Sequence, residues 1–179
     1  VADLGCGSGL ILTEVLLMRP SWIGHGLDIS AACIDYAQRL AAHKGVADRA
    51  WFIAEDIAGL PYEDDFLDLA IVTEVMEHVP EPELILMGIA RVLRPGGQLI
   101  LTIPLESVTP AHLHTFHSTD EFLLLCATAD LSIKRLEPRW HFTFGDDRKH
   151  LFALMEKPVH ARVKNDAPTV AQEAFAGFF

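Results

Sequence analysis

Nine residues at the start of the chain, Val1-Ala2-Asp3-Leu4-Gly5-Cys6-Gly7-Ser8-Gly9, limit its architecture more than the rest of the 179-residue sequence. An apolar strand end meets an acidic residue and then glycines at alternate positions, and Leu10, Ile11, Val15 and Leu16 follow at helical spacing. Strand, glycine turn and helix in that order make a loop that cradles a nucleotide. Glycine has no Cβ to hold a ligand off the backbone, and the helix start aims unpaired N–H groups and a positive dipole end at whatever sits there. The spacing G-x-G-x-G departs from the dinucleotide fingerprint G-x-G-x-x-G. Asp3 would repel a pyrophosphate and attract a ligand carrying a cationic amino group, which disfavours a nucleotide-dependent oxidoreductase. A second carboxylate, Asp28 in Gly24-His25-Gly26-Leu27-Asp28-Ile29-Ser30, stands at a strand end and can accept both hydroxyls of a ribose.

Beyond the loop, strands and helices alternate as in a mostly parallel sheet covered on both faces. Ser30 caps a helix carrying Ile34, Ala37, Leu40 and Ala41. Trp51 to Ala54 reads as the third strand and Phe66 to Thr73 as the fourth. A helix from about Glu81 to Leu93 is expected to stop at Pro95-Gly96-Gly97, with Gln98 to Ile103 the fifth strand and Asp120 to Ala129 a further helix. Leu131 to Leu136 and Leu151 to Met155 would be the last two strands. The first strand of such a sheet is central and needs about five or six residues, so the start is expected to be truncated. Residues 158–179 lose the pattern and form a tail with an apolar end, Ala174 to Phe179.

Half of the residues are hydrophobic, enough for one domain with a substantial core. No apolar run is long enough to span a bilayer and no basic-then-apolar leader is present. Cys6, Cys33 and Cys126 are odd in number and unclustered, which disfavours a disulfide framework and a structural zinc site and fits a reduced, cytoplasmic protein. The formal net charge of −11, with no Lys/Arg cluster, leaves little to neutralise a nucleic-acid backbone. The acidic run Asp64, Asp65 and Asp68 reads as a solvated turn. Trp140, Phe142 and Phe144 read as core or pocket residues rather than base-stacking platforms.

Ligands of an open parallel sheet bind beyond the carboxyl ends of its strands. Asp3, Asp28, Asp56 and Glu74 all fall at such ends and so face one crevice. Glu74, Glu77 and His78 stand at i, i+3 and i+4 and would share one face if the turn after strand four is helical. Two carboxylates and an imidazole suit Mg²⁺, Mn²⁺ or Zn²⁺, and His112, in His112-Leu113-His114-Thr115-Phe116 after strand five, is the candidate to complete the set. The alternative is a metal-free pocket in which Val75, Met76 and Val79 pack and His78 shapes the floor. His114 is a candidate general base or acceptor-orienting group, against a structural histidine near a helix start.

Six ordered motifs carry a family resemblance: D-L-G-C-G-S-G, G-L-D-I-S, Ala54-Glu55-Asp56-Ile57, the stretch Leu60 to Asp68, Glu74-Val75-Met76-Glu77-His78-Val79, and Arg91-Val92-Leu93-Arg94-Pro95-Gly96-Gly97. Over about Val1 to Lys157 the chain resembles the class I S-adenosylmethionine-dependent methyltransferases, with residues 1–157 as the domain. The resemblance implies a Rossmann-like, doubly wound α/β fold: a mostly parallel seven-stranded sheet closed by an antiparallel C-terminal hairpin. In relatives, helices ahead of the first strand cover the cofactor. Carried over by position, Gly5, Cys6, Gly7 and Gly9 pass under the methionine moiety with Asp3 near its amino group, Asp28 and Ile29 hold the ribose side, Asp56 and Ile57 border the adenine, and Thr73 and Glu74 lie near the sulfonium. Glu77, His78 and His114 are the catalytic candidates. Glu74, Glu77, His78 and His112 are the metal candidates, because the E-x-x-E-H cluster is similar to that of ubiquinone-biosynthesis O-methyltransferases and of small-RNA 3′-terminal 2′-O-methyltransferases. A small-molecule acceptor, methylated on a hydroxyl, is the expected substrate. The RNA version and a non-catalytic adenosyl-binding or partner-binding domain are the alternatives.

Overall fold

The computed structural model describes residues 1–143 and 146–159, the side chains of residues 139–148 excepted. In chain order the elements are β1 (Ala2–Leu4), α1 (Leu10–Met18), β2 (Gly24–Asp28), α2 (Ala31–Lys44), β3 (Ala50–Ala54), a 3-10 turn (Ile57–Gly59), β4 (Leu67–Thr73), α3 (Pro82–Val92), β5 (Leu93–Pro104), α4 (Thr119–Cys126), β6 (Ser132–Thr143) and β7 (Asp146–Glu156). They build one seven-stranded sheet in the order β3-β2-β1-β4-β5-β7-β6. The pairs from β3 through β5 are parallel, and β7 runs antiparallel to both β5 and β6. This is the expected doubly wound α/β sheet with its closing hairpin. The strand order reverses beside β1, so the crevice opens where β1 and β4 end.

Alternation along the strands decides which helix covers which face. In β4, Leu69 and Ile71 join Val15 of α1 in one buried cluster, while Ala70 and Val72 join Leu86 and Ile89 of α3 and Phe122 of α4 in another. Ile34, Ala37 and Ala41 of α2 meet Leu12 and Leu16 of α1 over Phe52 of β3. The Ser30 hydroxyl accepts the Cys33 N–H at 3.3 Å as the cap of α2, and Gly45 ends that helix in the left-handed region. The guanidinium of Arg49 binds the carbonyls of Leu16, Arg19 and Trp22, which closes the end of α1.

Two expected boundaries change. Helix α3 stops at Val92 and β5 begins at once, so Pro95-Gly96-Gly97 lies within the strand rather than at a helix end. The register moves from Leu67↔Leu93 to Leu69↔Gln98, and the extra residues bulge out; a Cβ on Gly97 would sit 2.9 Å from the Leu67 carbonyl oxygen. The hairpin strands run 12 and 11 residues, longer than their apolar stretches, because backbone pairing carries them past the core. Asp64, Asp65 and Asp68 are solvated as expected, each in an exposed ion pair, with Arg91, Lys157 and Arg94. Such pairs contribute about 0–1 kcal/mol. Among the described residues no helix is long and apolar enough to cross a membrane. The apolar tail end and the side chains of Trp140, Phe142 and Phe144 lie outside the described residues.

Candidate active site

The glycine loop is tied down from below. The N–H groups of Gly5 and Cys6 both donate to the Leu27 carbonyl, at 2.7 and 2.9 Å, and the Gly9 N–H donates to the Cys6 carbonyl at 2.8 Å. Asp28 fastens the top: Oδ2 accepts the Gly7 N–H at 2.8 Å and Oδ1 accepts the Ser30 N–H at 2.9 Å. Asp28 thus orders the loop as well as facing the crevice, and its remaining lone pairs stay available for hydroxyls. Helix α1 starts at Gly9 with no side-chain cap, leaving its positive end toward the crevice.

The three glycines do different things. A Cβ on Gly5 would lie 2.4 Å from Val75 Cγ2, and one on Gly9 would lie 2.6 Å from Ala37 Cβ and 2.8 Å from the Phe52 ring. These two exist for packing. A Cβ on Gly7, at φ +50°, would meet nothing within 4 Å, so here the bare backbone faces open space. The Cys6 side chain turns inward against Gly26, and burial pushes its thiol pKa far up, so only its backbone can serve a ligand.

On β1, just ahead of the loop, Asp3 is 1% exposed, and neither carboxylate oxygen has a hydrogen-bond partner. Burial raises its pKa to about 7. The Leu12 N–H, outside hydrogen-bond geometry, pulls the other way, and the Asp28 charge adds to the rise. An orphaned buried carboxylate on the strand that runs into an open glycine loop fits a ligand bearing an ammonium group. On the far side of Asp28, Ile29 is 77% exposed, an apolar surface for a flat ring. Asp56 caps the 3-10 turn through Oδ1, which accepts the Ala58 N–H at 2.9 Å, leaving Oδ2 for an exocyclic amine. Ile57 departs from expectation: its side chain is buried in the core, so only its backbone borders the crevice.

Across the crevice, residues 74–80 form a turn and not a helix. The expected shared face of Glu74, Glu77 and His78 therefore does not form. Glu77, His78 and His112 do converge, their ligand atoms lying within 4.8 Å of one another. Glu74 stands apart, bound by the Thr102 hydroxyl at 2.8 Å and by His150 Nε2 at 3.0 Å. His114 is also separate, its Nε2 lying 3.1 Å from the Pro80 carbonyl. Thr73, half-buried, pairs with Thr102 at the end of β4.

The trio is preorganised from the segment after β5. The Glu77 carbonyl accepts the N–H groups of Leu113 and His114, at 2.7 and 3.1 Å, clamping that segment over the turn. His78 Nδ1 lies 3.0 Å from the Ala111 carbonyl and His112 Nδ1 2.9 Å from the Ser107 carbonyl. A carbonyl only accepts, so each Nδ1 donates there, which leaves each Nε2 as the ring atom that can meet a ligand. Glu77 is 1% exposed and its Oε2 lacks a hydrogen bond. Burial raises its pKa to about 7; its own N–H favours the ionised form, the Glu74 charge opposes it and His78 favours it. One carboxylate oxygen and two imidazole lone pairs fit a divalent cation of borderline hardness.

His150 escaped the sequence reading. In an antiparallel strand the residue ahead of the apolar run, and not the one after it, lies at the crevice end. That signal is usable only once β7 is known to run against β5. A recess of about 460 Å³, lined among others by Trp22, Ile23, His25 and Phe66 to Leu69, is at the opposite end of the sheet and has no part in this site.

A parallel sheet reversing beside β1, a glycine loop at that point and a buried acid on the strand leading into it define a Rossmann-like nucleoside-binding domain. A family model described as a methyltransferase domain matches residues 1–149, and the chain belongs to that family. The demethylmenaquinone methyltransferase of Lactiplantibacillus plantarum is 34% identical over 102 residues, 56% of this chain and 43% of that protein. The ubiquinone biosynthesis O-methyltransferase of Pseudomonas syringae pv. tomato is 33% identical over 103 residues, 57% of this chain and 43% of that protein. The chain thus spans less than half the length of these relatives. Among solved structures the cyclase SpnF superposes with a TM-score of 0.78 at 20% identity, covering 88% of this chain and 74% of that one. A cyclase on this fold shows that the fold alone does not set the reaction.

Proposed function

We propose that this chain binds S-adenosylmethionine and transfers its methyl group to a hydroxyl of a small-molecule acceptor. The observation that carries the cofactor half is Asp3: a buried carboxylate without a hydrogen bond, on the strand that leads into a loop whose Gly7 faces open space. The methionine ammonium supplies its missing partner. Gly7 admits the methionine backbone, with Gly5, Cys6 and Gly9 shaping the turn. Asp28 accepts the ribose hydroxyls, Ile29 and the backbone of Ile57 flank the adenine, Asp56 accepts its amine, and Thr73 and Glu74 border the sulfur.

Methyl transfer from a sulfonium is an in-line displacement, so the protein's task is alignment, together with removal of the acceptor's proton. Glu77, with a pKa near 7 and a free Oε2, is the base, because a base poised near the working pH combines the right protonation state with driving force. His78 and His112 orient the acceptor through their Nε2 atoms. In a metal-assisted version of the same reaction these three side chains would instead hold a divalent ion of borderline hardness, such as Mn²⁺ or Zn²⁺, which would lower the acceptor's pKa. The names of the menaquinone and ubiquinone relatives and the formal net charge of −11 support a small-molecule acceptor over RNA.

Isothermal titration of S-adenosylhomocysteine into the protein tests the reading. Micromolar binding that Asp3→Asn weakens at least tenfold is the expected result; no binding to the wild type overturns it.

A further inference from the structure

Glu74 leaves the expected metal group because neighbouring strands take hold of its carboxylate. It follows β4 at φ +57°, in the left-handed region that a non-glycine residue occupies only when its surroundings over-determine it. Its N–H donates to the Thr102 carbonyl of β5 at 3.2 Å and the Thr102 hydroxyl returns to Oε1 at 2.8 Å, while His150 of β7 reaches Oε2 at 3.0 Å. The imidazole is 16% exposed and the Glu74 side chain 41%, so the histidine lies behind and the carboxylate keeps an open side toward the crevice. The next residue, Val75, presses on Gly5. Glu74 therefore stands next to the residue that packs on the loop, which the proposed function places beneath the methionine moiety.

We infer that His150 is a positioning residue which, with Thr102, fixes the Glu74 carboxylate as a counter-charge to the sulfonium, so that the site discriminates the charged methyl donor from the neutral product. This inference rests on the cofactor reading above. In the transfer the acceptor oxygen forms a bond to the methyl carbon, the C–S bond breaks, and its electron pair stays on sulfur as a neutral thioether. The acceptor's proton leaves to the base. The positive charge that Glu74 faces vanishes in that step, so its attraction for the ligand ends when the product should depart. A carboxylate with a freely turning side chain would follow solvent; two donors from two strands hold this one in place.

The test is titration of S-adenosylmethionine and S-adenosylhomocysteine separately into wild type, Glu74→Gln, His150→Ala, His150→Gln and Thr102→Val. With a partly solvated charge pair, Glu74→Gln should weaken S-adenosylmethionine about tenfold while leaving S-adenosylhomocysteine within about twofold. His150→Ala should move the ratio the same way by less, and His150→Gln, whose amide still donates to Oε2, should restore it. A merely structural histidine would weaken both ligands equally. If His150→Ala does not fold, Thr102→Val carries the same expectation. Wild type that binds both ligands, with an unchanged ratio in Glu74→Gln or in the folded positioning variants, overturns this inference alone. Wild type that binds neither sinks the cofactor reading and this inference with it.

Discussion

Asp3 holds a proton in the folded chain that it gives up readily when unfolded, near its ordinary value of 3.8 against about 7 when folded. Between those values the native state binds more protons, so stability from this group is full below about pH 4 and falls as pH rises toward 7. The loss is at most about 4 kcal/mol, and Glu77 contributes with the same sign. An ammonium ligand reverses the logic by stabilising the ionised form. S-adenosylhomocysteine should therefore bind more tightly from pH 6 to pH 8 and release up to one proton near pH 6.5. Calorimetry in buffers of different ionisation enthalpy reads that proton directly. Asp3→Asn should make the unliganded protein more stable at pH 8 while weakening the ligand, a combination that a purely structural acid would not give. Asp28→Ala should cost about 1.5–3 kcal/mol of binding through lost charge-assisted bonds, and also loosen the loop, since Gly7 and Ser30 lose their acceptor.

At the scale of elements, the loop between β1 and α1 separates packing from ligand approach. Gly9→Ala drives a Cβ into α2 and β3 and should unfold or severely destabilise the domain, seen as a fall in thermal midpoint. Gly7→Ala meets no neighbour and should cost only about 1 kcal/mol for the left-handed backbone, yet remove ligand binding, because its Cβ enters the space the ligand needs. Equal destabilisation by the two would contradict this division. Ser30→Ala should cost about 1 kcal/mol through the lost cap of α2, measurable by denaturant titration. These elements were legible because their signals are local: caps, glycines and apolar periodicity. The start of β5 was not, because Pro95-Gly96-Gly97 looks locally like a helix stop, and only pairing with β4 turns it into a bulge.

For the whole molecule, the crevice joins two polar stations, Glu77 with His78 and His112, and Glu74 with Thr102 and His150. A Mn²⁺ titration followed by electron paramagnetic resonance should show one site, abolished by Glu77→Gln and spared by Glu74→Gln, with S-adenosylhomocysteine affinity in Glu77→Gln within about twofold of wild type. Loss of the site in Glu74→Gln would restore the four-ligand set expected from the sequence. The sequence by itself determined the parallel sheet, the glycine loop and the acids at strand ends, because those depend on residue type at fixed short spacing and on the rule that ligands bind where strands end. Only the tertiary structure decided how the acids are shared out. A left-handed residue at Glu74 and a non-helical turn after it break the i, i+3, i+4 geometry, and the segment after β5 brings His112 in while leaving His114 out. The antiparallel return of β7 then delivers His150 from about 75 residues away in sequence, a distance across which no local pattern carries information.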